Sequence, residues 1–365
     1  MKKVLKIILC VVLVALIAGG AVLAVKLPHP LNYDIKSIKS VGSTVKVVSK
    51  TEDCVTIQNT ENRDFKVITF TDMHLDGNNK TSILTVTNLV NNITKEKPDL
   101  VILGGDNVTS ALNKKRVNQL AQIFENLGVY WAAVLGNHEG DNFGSVSRRE
   151  MIETFSSYEH CLTLEGPENI WGDGNCYINI LNADGSLCHT FILMDSGSRM
   201  TAEQKAEYGY PEDERPYDGV KENQVQWYKE IIAKNKEQYG DFESTVVLHI
   251  PLPQMETEAE KGEFLTGDKR EGVCASGFDS GLFDAIKEMG STTKVFFGHD
   301  HVNDFALMCD GIMLSYMQAS GYGSYTAASK FGYEEKDWLQ GYTLFEISPD
   351  GKYEPVHHRN SENMQ

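Results

Sequence analysis

The chain has 365 residues, 41% of them hydrophobic and 23% charged, which is enough for one large globular domain or two ordinary ones. A formal charge of −17 repels a phosphate backbone over most of the surface and speaks against nucleic acid as a partner. Seven cysteines form no CxxC pair, so a zinc–thiolate site is not expected.

The first segment, "MKKVLKIILCVVLVALIAGGAVLAVK", carries no charge between Lys6 and Lys26. As a helix that run is about 28 Å long at ~1.5 Å per residue, close to the thickness of a bilayer core. Lys2, Lys3 and Lys6 predict a cytoplasmic start, with everything after Lys26 outside the cytoplasm. The run is long for a signal peptide cleaved near Ala24, which would give a secreted protein. The preferred reading of 1–26 is therefore an uncleaved transmembrane helix in the cell membrane. Residues 27–62 read as a stalk with two short β runs, "TVKVVS" and "CVTIQN".

From Asp64 onward, apolar β-branched runs alternate with amphipathic stretches. Five runs are expected as strands: "FKVITF", "DLVILG", "YWAAVLG", "TVVLHI" and "TKVFFG". Helices are expected over 82–97, 113–128 and 221–239. The further runs "CYINIL", "CHTFILMD", "FALMCD", "GIMLSYM" and "YTLFEI" predict antiparallel additions. The fold class is thus layered α/β with mixed sheets, in one catalytic-size domain over 63–350. Residues 351–365 read as a tail. Cys176 and Cys188 flank the turn "NADGS" and are expected either to face each other across a hairpin or to stay free thiols.

Each of the five strands runs into metal-ligand chemistry. They supply Asp72 and His74, then Asp106, then Asn137 and His138, then His249, then His299 and His301. Ligands of open α/β sheets gather beyond the carboxyl ends of strands, so loops far apart in the chain can converge there. Glycine precedes the polar residue at Gly105, Gly136 and Gly298, permitting a sharp turn. In extended backbone, residues two apart point the same way, so Asp72 pairs with His74, and His299 with His301, leaving Asp300 turned aside. Leaving out His138, these residues offer seven oxygen and nitrogen donors, too many for one tetrahedral ion. Two ions sharing Asp106 through its two oxygens would have four protein ligands each. Such a pair, with a bridging hydroxide, suits the hydrolysis of phosphate esters.

The ordered set "TDMH…GGD…GNHE…LHIP…GHDH" resembles the calcineurin-like metallophosphoesterase family over about Lys66 to His301. The resemblance implies a four-layer α/β/β/α sandwich. It also implies Asp72, His74, Asp106 and His301 on one ion, and Asp106, Asn137, His249 and His299 on the other. His138 is then no ligand but the group that protonates the leaving oxygen, oriented by the adjacent acid, here Glu139. "HIPLPQM", "DSGLFDAIKEMG" and "GHDHVNDF…SGYGSY" are similar to a purple-acid-phosphatase-like branch that includes a fungal cell-cycle dosage regulator. Purple enzymes have a tyrosine ligand three residues after the bridging aspartate and lack the DxH histidine. Thr109 and His74 stand here instead, so an Fe(III)–tyrosinate centre is not implied.

Mn, Fe or Zn all suit such donors, with no organic cofactor. Phosphomonoester hydrolysis is the favoured activity. Diester, nucleotide or lipid-pyrophosphate hydrolysis on the same core is the alternative, and a non-catalytic metal-dependent scaffold is the alternative of another class. Secondary candidates are Arg148 and Arg149, read as decorating a helix start rather than binding phosphate. Asn303 and Asp304 either orient His301 or form a turn, and Tyr322, Gly323 and Tyr325 stand at the pocket mouth. Three glycosylation patterns, at Asn79, Asn92 and Asn107, are discounted.

Overall fold

The computed structural model describes residues 31–332 and 339–360. Its strands and helices run in the order β1 (Val45–Lys50), β2 (Cys54–Asn59), β3 (Phe65–Phe70), α1 (Asn79–Glu96), β4 (Leu100–Gly104), α2 (Lys114–Leu127), β5 (Tyr130–Val134) and α3 (Arg148–Ser156). Then come β6 (Cys176–Leu181), β7 (Leu187–Leu193), α4 (Ala202–Tyr208), α5 (Glu222–Tyr239), β8 (Glu243–Val247), α6 (Pro253–Ala259), α7 (Leu282–Met289) and β9 (Thr292–Phe297). The chain closes with β10 (Ala306–Cys309), β11 (Ile312–Tyr316), α8 (Ala327–Phe331), β12 (Gly341–Ile347) and β13 (Val356–Arg359).

Two mixed sheets result. One has the order β1-β2-β6-β7-β8-β9-β11-β10, the other β13-β12-β3-β4-β5. The expected strands fail to alternate polar and apolar because both faces of the central ones are covered. On β4, Val101 and Leu103 pack under the α1–α3 helices, while Leu100 and Ile102 face the opposing sheet. On β9, Val295 and Phe297 join the layer under α5–α7, and Phe296 turns inward to the sheet–sheet core. Four layers, α/β/β/α, follow from those three apolar interfaces.

Several expected boundaries move. The runs assigned to the stalk are part of the larger sheet, since β2 pairs in parallel with β6. Leu31 and Ile35 sink into the core beside α2. The described part of the tail includes a strand, β13, which pairs antiparallel with β12; its "VHHR" has no apolar alternation to announce it. The hairpin register puts Cys176 opposite Leu193 rather than Cys188, so the two thiols do not face each other and both are free. Asn92 and Asn107 are buried, in keeping with the discounted glycosylation patterns. No helix among the described residues is long and apolar enough to cross a membrane, and the expected transmembrane segment over 1–26 lies outside them.

Candidate metal centre

The parallel strands β3, β4 and β5 of one sheet, and β8 and β9 of the other, all end at the same edge of the sandwich. Backbone bonds stitch their loops together there. The amides of Asp72 and His74 donate to the carbonyls of Gly105 and Asp106 at 3.0 and 2.8 Å, and Gly298 N–H donates to the His249 carbonyl at 3.1 Å. Between the sheets, the His299 amide donates to Asp72 Oδ2 at 3.0 Å.

The seven predicted donors converge. Asp106 Oδ2 lies 3.4 Å from His74 Nε2 and 3.4 Å from His249 Nε2. His301 Nε2 is 3.4 Å from Asp72 Oδ1 and 3.0 Å from His74 Nε2. His249 Nε2 is 3.1 Å from Asn137 Oδ1, and the His249 and His299 rings are 5.2 Å apart. Asp72, His74, Asp106 and His301 form one tight cluster able to hold a cation. Asp106 Oδ1 accepts the His138 amide at 2.8 Å. Oδ2 is the oxygen that lies 3.4 Å from a histidine of each donor set.

The route to convergence also differs from the extended backbone assumed above. Asp72, His74, Asp106 and His299 all lie in the left-handed region, at φ of 53°, 41°, 50° and 80°. That conformation costs a non-glycine residue of order 1–3 kcal/mol and persists only where the surroundings enforce it. The donors are aimed by these kinks rather than by strand alternation. Gly105, at φ 99°, shares the need for a turn. Gly136 does not; it is required by close approach, since a Cβ there would collide with the Asp106 carboxylate and amide nitrogen. Gly136→Ala is expected to cost about 1–3 kcal/mol of stability, by urea unfolding, and to weaken metal retention, because Asp106 is what must move.

The donor chemistry fits cations. Asp72 Oδ1 and His299 Nε2 are buried with no hydrogen-bond partner, a costly state unless something else satisfies them. His249 Nδ1–H donates to the Gly104 carbonyl at 2.8 Å and His301 Nδ1–H to the Tyr325 carbonyl at 3.2 Å. Each ring is thereby turned to present Nε2, as metal-ligating histidines are. Burial pushes His74 down to about 4 and His299 down to about 3. Burial opposes charge on His249 too, but Asp106 outweighs it and raises that ring to about 10. Asp72 is held down to about 2, burial being overcome by His301 beside it.

His138 stands at the mouth, its side chain 48% exposed, with Nδ1 2.9 Å from Asp141 Oδ2. That bond raises its pKa. The expected orienter, Glu139, faces the other way. It is buried and accepts the amides of Gly136 at 2.7 Å, Asp106 at 3.2 Å and Asn107. Burial, with the Asp106 charge adding to it, raises Glu139 to about 7. It clamps two donor loops together and never touches His138. Glu139→Ala strands three buried amides, each worth at most about 1–3 kcal/mol, and is expected to lower the thermal midpoint markedly.

Arg148 is neither a phosphate ligand nor surface decoration, for it ties the Gly136 carbonyl to buried Asp195. Arg149 does sit exposed, against Glu165. Asn303 and Asp304 leave His301 alone and hold the 268–271 loop instead. Tyr322 is buried, bonded through its hydroxyl to Asn88 and Asn360. A Cβ on Gly323 would collide with the His74 carbonyl, so it too is a site of close approach. Tyr325 stacks on His301 with ring centres 4.2 Å apart. Asp300 is turned aside as expected, accepting the Cys274 amide at 3.0 Å.

Three contacts went unread in the sequence. Asp141 carried a signal, standing three residues after His138. Tyr217 edge-on to His299 at 4.3 Å, and Ser198 donating to the Asn137 carbonyl at 2.7 Å, come from long loops with no motif.

A sandwich of two mixed sheets with acid, amide and imidazole donors at five strand ends defines a metallophosphoesterase-type domain. The Calcineurin-like phosphoesterase family model matches residues 65–303, and the chain belongs to that family. It is 31% identical over 304 residues to the "Probable inactive purple acid phosphatase 14" of Arabidopsis thaliana, covering 73% of each chain. It is 28% identical over 309 residues to the "Probable inactive purple acid phosphatase 29" of the same plant, covering 75% of this chain and 76% of the relative. Among solved structures, a dimetal phosphatase from Danio rerio aligns with TM-score 0.49 at 14% identity, over 78% of this chain and 93% of the other.

Proposed function

We propose that the chain hydrolyses phosphate esters, monoesters preferentially, at two divalent ions of the Mn, Fe or Zn kind. Asp72, His74, Asp106 and His301 would hold one, and Asp106, Asn137, His249 and His299 the other. The observation that carries this reading is Asp106 Oδ2, placed 3.4 Å from a histidine of each set. When bound, the ions supply a water of lowered pKa and neutralise phosphate charge. The chain's own contribution to bond cleavage is His138. Asp141 accepts the Nδ1–H bond and favours the doubly protonated ring, whose other proton, at Nε2, is the one given to the leaving oxygen. In balance, water adds to phosphorus, the ester P–O bond breaks, and the alcohol leaves with the His138 proton. We also propose that the catalytic domain lies outside the cytoplasm, tethered by the apolar segment 1–26.

The relatives' names contain "probable inactive". Carried to this chain, that favours a metal-dependent scaffold for phosphorylated partners. The full donor set and the His138–Asp141 pair support turnover instead. The test is hydrolysis of a chromogenic aryl phosphate and its bis-aryl diester, after loading with Mn, Fe or Zn. Cleavage of neither by protein that holds two ions supports the scaffold; faster cleavage of the diester overturns the monoester preference.

A further inference from the structure

Two loops at the mouth carry apolar side chains that nothing among the described residues covers. Phe143, five residues after His138, is 86% exposed, and Leu112, six after Asp106, is 46% exposed. They belong to one structure. The Leu112 amide donates to the Phe143 carbonyl at 3.1 Å, and Leu112 packs beneath Gly144. Leu112 itself is held at φ 48°, in the left-handed region. Lys114 and Lys115 follow after the buried Asn113, both exposed. Of the acids nearby, Asp141 pairs with His138, and Glu150, bonded to the Ser147 cap of α3, keeps its charge near Lys114, which Lys115 follows on the same helix start.

The start of the described chain points to what covers this rim. Residues 31–41 run along α2: Leu31 is bonded to Gln119, Ile35 to Asn126 and Val41 to Leu127. Followed backwards, the chain climbs α2 towards its amino end, where Leu112 and Lys114 sit. Asn32 also reaches Asn79, at the start of α1 and just past the loop bearing His74. The first described residues, Leu31 and Asn32, thus lie towards the mouth end of the domain, and the sequence before them is uncharged from Ile7 to Val25.

We propose that the Leu112–Phe143 rim, with Lys114 and Lys115, rests on the surface of an anionic lipid bilayer, so that the site takes phosphate esters carried on lipid. An exposed aromatic enters the interface, lysines face the headgroups, and a tether on the same side keeps the mouth turned towards the membrane. His138, on the leaving-group side, then faces the lipid alcohol. The substrate half of this inference rests on the phosphoesterase reading above; the docking half does not.

The test uses the full chain reconstituted in vesicles of phosphatidylcholine and phosphatidylglycerol, brominated along the acyl chains. Phe143→Trp is expected to add fluorescence that these lipids quench, while Val47→Trp, exposed on the edge strand β1, adds fluorescence they do not quench. Equal quenching of both, or of neither, overturns the docking face. So does shielding of the indole introduced at position 143 that rises with protein concentration, which marks a second copy instead. In the same vesicles, the Leu112→Ala/Phe143→Ala pair is expected to lower turnover of dioleoyl phosphatidic acid about tenfold, the factor for losing one buried aromatic anchor. Turnover of a soluble aryl phosphate should be unchanged. An equal loss on both substrates, or none on either, overturns the substrate class. Absence of all turnover in the parent protein sinks the phosphoesterase reading, and the quenching result still decides the docking face.

Discussion

Asp106→Asn is expected to release both ions together. In the parent protein Oδ2 faces His74 Nε2 and His249 Nε2 at the same 3.4 Å, while Oδ1 accepts the His138 amide. An asparagine that keeps the amide contact through its carbonyl oxygen must put its NH2 group at the shared position. There it brings hydrogens towards two ring nitrogens and removes the negative charge that both donor sets have in common. Losing an outer hydrogen-bond partner of a metal ligand typically costs about 10–100-fold in affinity; losing a shared charged ligand should exceed that for both ions. Elemental analysis of protein purified without chelator, followed by titration with Mn or Zn, measures it. Retention of one ion at parental affinity would show that Asp106 serves a single ion.

His138→Ala is expected to lower turnover by about 10²–10⁴ while leaving metal content intact. The ring lies outside the donor cluster, half exposed, and its nearest polar partner is Asp141 rather than a donor. Only its backbone amide supports Asp106, and alanine keeps that amide. The size of the loss should depend on the ester. A leaving group that is already a weak base needs no proton, so the defect should shrink for nitrophenyl esters and be largest for alkyl esters. Asp141→Asn is expected to give a smaller defect with the same dependence, since it loosens the ring without removing it. Glu139→Gln should show no such dependence, because Glu139 acts on backbone amides. A His138→Ala protein that loses its ions, or is equally slow on every leaving group, would remove the general-acid role.

Much of this was written in the linear chain. The strands ending in Asp72, Asp106, Asn137, His249 and His299 are apolar on both faces, and a strand covered on both sides is legible as an unbroken run. The donor types follow from those strand ends, and the family from their order. Edges were less legible: β13 is held by backbone pairing with β12, which leaves no mark on side-chain pattern.

What the chain could not disclose is where each side chain points once the strand stops. Asp72 with His74, and His299 with His301, were paired by a two-residue alternation that requires extended backbone, whereas Asp72, His74 and His299, like Asp106, sit in left-handed kinks enforced by neighbouring loops. Glu139 and Asp141 are both acids within three residues of His138, and nothing local chooses between them. The choice falls to the amides of Gly136, Asp106 and Asn107, which draw Glu139 inward and leave Asp141 to the imidazole. Residue type and order sufficed for the chemistry that is present. Its aim depends on hydrogen bonds between segments distant in the chain, and those exist only once the two sheets have packed.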